Sequence, residues 1–358
     1  MGTNNKILNE ANFLQVLSKS KLDKNDFYTL IFADISEKAF EALAAKARLV
    51  TIQRFGMVKG LYIPLYLSNY CNNVCEYCGF SSNNKIERKT LTAKEILVEL
   101  TDIFNKGFRN ILLVSGEWNN FANIEYLKSA VEIVRKVGFH SISVELGALP
   151  QEYATMLTVA GAEAFVLYQE TYHRPTYKKV HTQGKKMEYD YRIEGQARAI
   201  QGGFRKVSFG FLAGLYDVEE EAIEMFEHIS YIKKKYWDAE IGISVPRITS
   251  AIGVDHTQYQ VDDQLYARIL MAYRLAFPEA TISLSTRETS TFRDGMSDIC
   301  VTHLSVESKT MPGGYHEEVE QSLEQFSVID SRSLADMTKV LKDKGYDVHF
   351  KDWQRELS

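Results

Sequence analysis

The sequence predicts an α/β fold, a (β/α)8 TIM-type barrel with N- and C-terminal helical extensions. Three observations carry this expectation. Eight short apolar or β-branched runs recur along the chain, stretches of helical periodicity separate them, and 358 residues suffice for one barrel with additions.

Residues 10–56 read as helices, from the spacing of Leu14, Leu17 and Leu22 and from the alanine-rich stretch Phe40–Val50. Asp34, with Glu37 three positions on, is the expected cap of the second of these. The expected strands are 61–67, 110–114, 141–145, 164–168, 206–210, 241–245, 281–285 and 301–306. Most look apolar on both faces, as parallel strands under helices should be. Helical periodicity fills Ala93–Phe104, Ile124–Val137, Glu152–Ala160, Tyr191–Gln201, Glu220–Lys235 and Asp262–Ala276. The tail from Leu334 reads as a helix, an extended piece at Val348–Phe350 and a final helical turn. The expected organisation is an N-terminal extension (1–58), a barrel (59–320) and a C-terminal extension packed on it (321–358).

Composition narrows the function. A formal charge of -5 lacks the positive field that a phosphate-backbone binder needs, so no nucleic-acid role is expected. The N-terminus has no secretory pattern and no run reaches membrane-spanning length, so a cytoplasmic protein is expected, with no membrane partner. The run KKKYWDAE reads as a solvated helix end. Three of the four cysteines lie within eight residues, and Cys300 is more than two hundred positions away. That distribution suits reduced thiols better than two disulfides.

Cys71, Cys75 and Cys78, in CNNVCEYC, follow the first strand directly. A loop at the carboxyl end of a barrel strand can turn three thiolates inward on a four-iron cluster, leaving one iron open. Zinc normally takes four ligands, or three and a water, and no nearby residue completes a finger. A closed electron-transfer cluster using Cys300 as fourth ligand is the nonenzymatic alternative; otherwise Cys300 is a buried small hydrophobe.

The CxxxCxxC loop, with Tyr77 before its last cysteine, resembles the radical S-adenosylmethionine superfamily. Further segments resemble one family within it, the 2-iminoacetate synthases, tyrosine lyases of thiamine thiazole biosynthesis. They are PLYLSNYCNNVCEYCGFSSNNKIERKTL, LLVSGE, VLYQETYH, SVPR, LSTRE and SKTMPGGY, in order at separate strand ends from Gly60 to the FKDW stretch at Trp353. The resemblance implies a [4Fe-4S] cluster on Cys71, Cys75 and Cys78, with S-adenosyl-L-methionine at the open iron. It also implies a lyase that takes hydrogen from the tyrosine amine and breaks Cα–Cβ, giving 2-iminoacetate and p-cresol.

It further implies roles at the strand ends. Ser115, Gly116 and Glu117 correspond to the element that binds the cofactor's amine, and Glu145 to the carboxylate on its ribose hydroxyls, which an ionised acid can accept together. In the loop after strand four, Glu170 or Thr171 holds an amine, while Tyr172 or His173 shapes the phenol cavity. Arg192 and Lys206 are candidate contacts for carboxylate or adenosine groups, and Arg247 for an anionic group of cofactor or substrate. Arg287 offers paired donors to the tyrosine carboxylate, and Ser285 holds the same group or the amine. Ser308 and Tyr315 are expected near the cavity top, with Gly313 and Gly314 permitting the turn between them. The expected partners are L-tyrosine, a thiazole synthase as product acceptor, and reduced flavodoxin or ferredoxin as electron donor. A tryptophan lyase is the rival within the enzyme class. Hydrogenase-maturing tyrosine lyases carry a cysteine-bearing C-terminal region, and no cysteine follows Cys300, which favours the thiazole branch.

Overall fold

Three helices open the described chain: α1 (Glu10–Leu17), α2 (Lys24–Phe32) and α3 (Glu37–Phe55). The computed structural model describes residues 8–118, 120–249, 259–317 and 324–350. The cap of α3 is Ser36, whose hydroxyl accepts from the Ala39 amide, and not the expected Asp34. The reciprocal box falls one helix earlier, on Asp23 and Asp26. Leu14 is half exposed, while Phe13 and Val16 are buried in its place. This layer is tied to the barrel: Phe27 stacks on Phe226 at 4.7 Å, and Arg268 donates to the carbonyls of Leu30 and Ala33 at 2.6 and 2.7 Å.

The chain then alternates. β1 (Val58–Ser68) leads into a loop carrying the short β2 (Val74–Cys75). There follow α4 (Ala93–Asn105), β3 (Asn110–Ser115), α5 (Ile124–Val137), β4 (Ser141–Glu145), α6 (Gln151–Ala160) and β5 (Ala164–Val166). After β5 come α7 (Arg174–Val180), β6 (His181–Gln183), a 3-10 turn (Lys185–Met187), α8 (Tyr189–Ile193) and α9 (Gly195–Gln201). The rest runs β7 (Lys206–Phe209), α10 (Val218–Lys235), β8 (Glu240–Ile243), α11 (Asp263–Ala276), β9 (Thr281–Leu284), α12 (Ser290–Ile299), β10 (His303–Ser305), α13 (Leu334–Asp343) and β11 (Asp347–His349).

Eight of these strands form one parallel sheet in the order β1-β3-β4-β5-β7-β8-β9-β10, closed by β10 on β1 in the register Gly60↔His303 to Tyr62↔Ser305. This is the expected α/β barrel. β11 adds a parallel edge beside the start of β1, from Val58↔Asp347 to Gly60↔His349. The final turn expected after it, most of FKDW, and the 320/321 boundary lie outside the described residues. No described helix is long and apolar enough to cross a membrane.

The strands depart from the expected two-sided apolar pattern. β4, β7 and β9 alternate: Val144, Val207, Phe209, Ile282 and Leu284 are buried in the core between strands and helices, whereas Ser143, Ser208 and Ser283 line a cavity inside the barrel. Lys206, Glu240 and Thr281 line the same cavity. Small and polar inner residues leave this barrel hollow where such barrels are commonly filled by branched side chains. A second cavity opens at the carboxyl ends of the strands, and the two share Tyr62, Leu112, Val166, Tyr168 and Ser244.

Two elements differ from expectation for a local reason. The helix expected across Tyr191–Gln201 breaks at Glu194 into α8 and α9. α12 went unmarked because its buried side carries Arg293 and Ser297 beside Phe292 and Met296, which blurs an apolar period.

Candidate active site

The cysteine loop is assembled largely by hydrogen bonds. Pairing of β1 with β3 shifts register between Tyr66 and Ser68, which re-aims the chain at the barrel mouth. Arg88 gathers the loop from one side, donating to the carbonyls of Asn69, Phe80 and Ser81 at 2.6, 2.8 and 2.7 Å. Asn69 in turn accepts from the Lys89 amide at 2.7 Å. Two glycines are needed for close approach. A Cβ on Gly116 would sit 2.4 Å from the Tyr70 carbonyl oxygen, and one on Gly79 would sit 2.4 Å from that of Glu324. Cys71, Cys75 and Cys78 all open onto the upper cavity. Asn73 Nδ2 lies 3.5 Å from Cys71 Sγ, and Gln325 Nε2 lies 3.7 Å from Cys78 Sγ. Burial pushes all three thiols above their ordinary value. Cys300 is remote from this cavity, buried beside Arg274 and Lys59.

A strap crosses the loop. β6 pairs antiparallel with β2, bringing His181 opposite Cys75, and the Glu76 amide donates to the Val180 carbonyl at 3.1 Å. His181 Nδ1 faces the Tyr177 carbonyl at 2.9 Å and must carry the proton there, so Nε2 accepts from the Tyr77 hydroxyl at 2.6 Å. Burial, with Lys186 and Arg192 nearby, lowers His181 to about 2, so the ring is neutral.

Behind the strap the cavity wall is densely paired. Glu170 takes a left-handed backbone, φ 72, and its carboxylate meets Lys186 Nζ at 2.7 Å and Arg192 Nη2 at 3.3 Å. Burial opposes ionising Glu170, but these two cations outweigh it and hold the carboxyl below its ordinary value. Arg192 also donates from Nε to the Tyr168 carbonyl at 2.8 Å. Its Nη1 is buried without a hydrogen-bond partner, 3.7 Å from Glu117 Oε1.

Across the cavity, charge is unpaired. Arg287 lies over the Phe326 ring, 3.4 Å from its centroid, with no carboxylate at ion-pair distance among the described residues. Burial lowers its pKa. Ser285 lines the cavity beside it. Glu145 opens onto the same space, and burial, then Glu170, push its carboxyl up to about 7. Ser308 Oγ lines the cavity, buried without a partner.

Comparison with known proteins bears on this geometry. Residues 65–229 match the radical SAM superfamily, and residues 244–347 match the biotin and thiamin synthesis associated domain. The 2-iminoacetate synthase of Salmonella typhimurium is 35% identical over 97% of this chain and 92% of its own length. The chain belongs to the radical S-adenosylmethionine tyrosine-lyase family. The family also contains HydG, the FeFe-hydrogenase maturase, whose structure from Carboxydothermus hydrogenoformans is 31% identical. It superposes with a TM-score of 0.89 over 95% of this chain and 79% of that one. The 2-iminoacetate synthase of Escherichia coli is 34% identical over 97% of this chain and 92% of its own length. This protein is therefore an enzyme of that family, in which a [4Fe-4S] cluster and S-adenosylmethionine are a class trait.

The residues present fit that pair of groups. Three thiols open onto one cavity, and a buried arginine nitrogen there lacks a partner. Among the described residues no three His, Cys, Asp or Glu side chains converge as for a single ion. A cubane holds its thiolates on separate corners, so its ligands stand wider apart.

Of the expected site residues, Tyr77, Ser115, Gly116, Glu117, Glu145, Glu170, Arg192, Ser285 and Arg287 line this cavity with the three cysteines. Others are elsewhere. Thr171 is turned away: its hydroxyl donates to Glu221, which also accepts from the Tyr172 amide at 2.6 Å. Tyr172 hydrogen-bonds His228, and His173 stacks on Tyr216. Arg247 is consumed by a network with Glu288 (3.0 Å from Nε), Asp263 (2.7 Å) and the Val261 carbonyl (3.1 Å). Lys206 belongs to the lower cavity. Tyr315 packs outside, donating to the Pro64 carbonyl at 2.5 Å. Sequence reasoning missed Asn73, within the loop itself, and His181, Lys186 and Gln325, which reach it from the strap and the C-terminal segment.

Proposed function

We propose that this enzyme cleaves the Cα–Cβ bond of L-tyrosine to give 2-iminoacetate and p-cresol for thiamine thiazole biosynthesis. The observation that carries the reading is Arg287, a guanidinium that lines the same cavity as the three cysteines with no carboxylate at ion-pair distance among the described residues. Such a fork takes a carboxylate through two parallel hydrogen bonds and fixes the bound amino acid's orientation. Tyr62, Tyr66, Tyr168 and Phe326 supply an aromatic lining for a phenol ring.

Cys71, Cys75 and Cys78 would hold the cluster. When bound, it and S-adenosylmethionine supply a carbon radical that takes one hydrogen atom from the substrate. The residues do the positioning. Arg192 and Glu117 would hold the carboxylate and amine of the cofactor's methionine end, and Ser115 and Gly116 would bring backbone to it. Glu145 faces the ribose diol. Arg287, with Ser285, turns the tyrosine amine rather than Cβ toward the radical. Glu170, locked by two cations, is an acceptor for an amine. Thr171 and Arg247 have no contact role here, because other residues take their polar atoms. The lateral walls exclude water, which protects a radical and an imine alike.

The thiazole branch is supported by the 35% identity that spans nearly all of both chains. The imine hydrolyses readily, so handover to a thiazole synthase belongs to the reading, as does reduction by flavodoxin or ferredoxin. So does the division into extension, barrel and tail. The test is an anaerobic assay of reconstituted enzyme with dithionite and S-adenosylmethionine, giving tyrosine or tryptophan separately. p-Cresol and glyoxylate from tyrosine are expected. Tryptophan side-chain cleavage without p-cresol would reject the substrate, and carbon monoxide release would move the enzyme to the maturase branch.

A further inference from the structure

We propose that the strap from Arg174 to Met187 is the docking face for an acidic one-electron carrier protein. The inference rests on the reading that the cluster sits on the loop beneath it. The chain carries a formal charge of -5, yet RPTYKKVHTQGKKM holds Arg174, Lys178, Lys179, Lys185 and Lys186 and no acidic residue. The structure divides these cations by task. Lys186 turns inward to Glu170, and Arg174 pairs with Asp190 at 2.6 Å. Lys178, Lys179 and Lys185 remain exposed, with no carboxylate at ion-pair distance among the described residues. Lys85, in the segment after Cys78, is exposed as well. The exposed acids on the neighbouring chain are Glu76 within the loop, Glu87 two residues after Lys85, and Glu188 and Asp190 after the strap, of which Asp190 is taken by Arg174; the strap itself carries none.

A bland explanation covers part of this. Lys178 and Lys179 stand in the last turn of α7, where cations offset the helix dipole. That does not account for Lys85, or for Lys185 on the 3-10 turn, whose ammonium lies 4.6 Å from the centroid of the Tyr191 ring yet stays exposed. None of these lysines lines either barrel cavity, although Lys185 borders a smaller pocket beside Ser115, Gly116 and Glu117.

Position gives the patch its meaning. β6 is hydrogen-bonded to the cysteine loop itself, with His181 opposite Cys75, and Lys178, Lys179 and Lys185 stand on the segments that flank β6 directly. Electron transfer needs a short path, and only the electron crosses: the carrier is oxidised by one electron and the cluster reduced by one. A basic face in an otherwise acidic protein orients an acidic partner and repels others, an effect that salt weakens over about 10 Å.

The test uses reconstituted holoenzyme and a small acidic flavoprotein in its hydroquinone form, following cluster bleaching by stopped flow. Lys178→Glu/Lys179→Glu/Lys185→Glu should slow reduction at low salt by at least about tenfold, and added salt should shrink the difference. The neutral triple Gln variant should fall between. Reduction by dithionite should stay within about twofold of wild type, and Lys233→Glu/Lys234→Glu/Lys235→Glu, altering the run that ends α10, should leave the flavoprotein rate unchanged. Wild-type rates in the strap variant would overturn the proposal, as would equal losses in both reversal variants, which report net charge alone. Iron content and dithionite-driven p-cresol formation test the functional reading separately, because neither requires docking.

Discussion

The two walls of the upper cavity treat charge in opposite ways. Beside the strap, Lys186, Glu170, Arg192 and Glu117 form a chain of ion pairs at 2.7, 3.3 and 3.7 Å, so each charge has an internal partner. Arg287 and Glu145, by contrast, face the cavity with no ion-pair partner among the described residues. A buried charge without partners is expensive unless a ligand supplies them. The paired wall is thus largely a frame set at folding, with Arg192 Nη1 left over for a ligand, and the unpaired wall is a surface completed by what binds. Arg247 and Arg287 make the point at adjacent strand ends. Arg247 is captured by Glu288, although Glu288 adjoins Arg287 in sequence.

The contrast can be broken most sharply at Glu170. Glu170→Gln strands Lys186 and Arg192 in a buried site, and about 3 kcal/mol of stability should be lost in urea titration. A loss no larger than that of an ordinary surface substitution would mean the wall is not a frame. On the other side, Arg287→Ala should leave folding and iron content intact and lower kcat/KM for tyrosine about 100-fold. Unchanged kinetics would remove the carboxylate clamp.

The third effect depends on pH. Burial raises Glu145 from 4.5 to about 7, so the folded chain holds this proton longer than the unfolded one. Below pH 4.5 both states are protonated and nothing is lost; stability falls as pH rises from there to about 7, and the full penalty applies above it. Glu145→Gln removes the ionising group. The ligand-free variant should gain up to about 3 kcal/mol at pH 8 and almost nothing at pH 4, read from paired denaturation curves. An equal gain at both values would show that packing, not charge, sets the difference.

Much of this was legible in the sequence because it is local. All eight barrel strands fall where apolar runs mark them, and Cys71, Cys75 and Cys78 stand together by spacing alone. What stayed hidden depends on pairings between distant segments. Lys186 reaches Glu170 only because β6 folds back on β2, two strands too short to show a period. The Glu288 carboxylate had two arginines available, and only the fold chose Arg247. Thr171 looked like a substrate contact until Glu221, fifty residues on, took its hydroxyl. The inner face of the barrel was misread because outward Ile, Val and Phe dominate each run and mask the serines between them.

Those serines change where cohesion resides. Ser143, Ser208 and Ser283 add little adhesion at the axis, so the structure is a tube whose strength lies in its wall, in the sleeve of Val144, Val207 and Ile282 against the helices. Trimming one methylene from that sleeve costs about 1 kcal/mol. The bore can therefore vary its polarity and width, and with them the molecules it admits, while the tube around it keeps its grip.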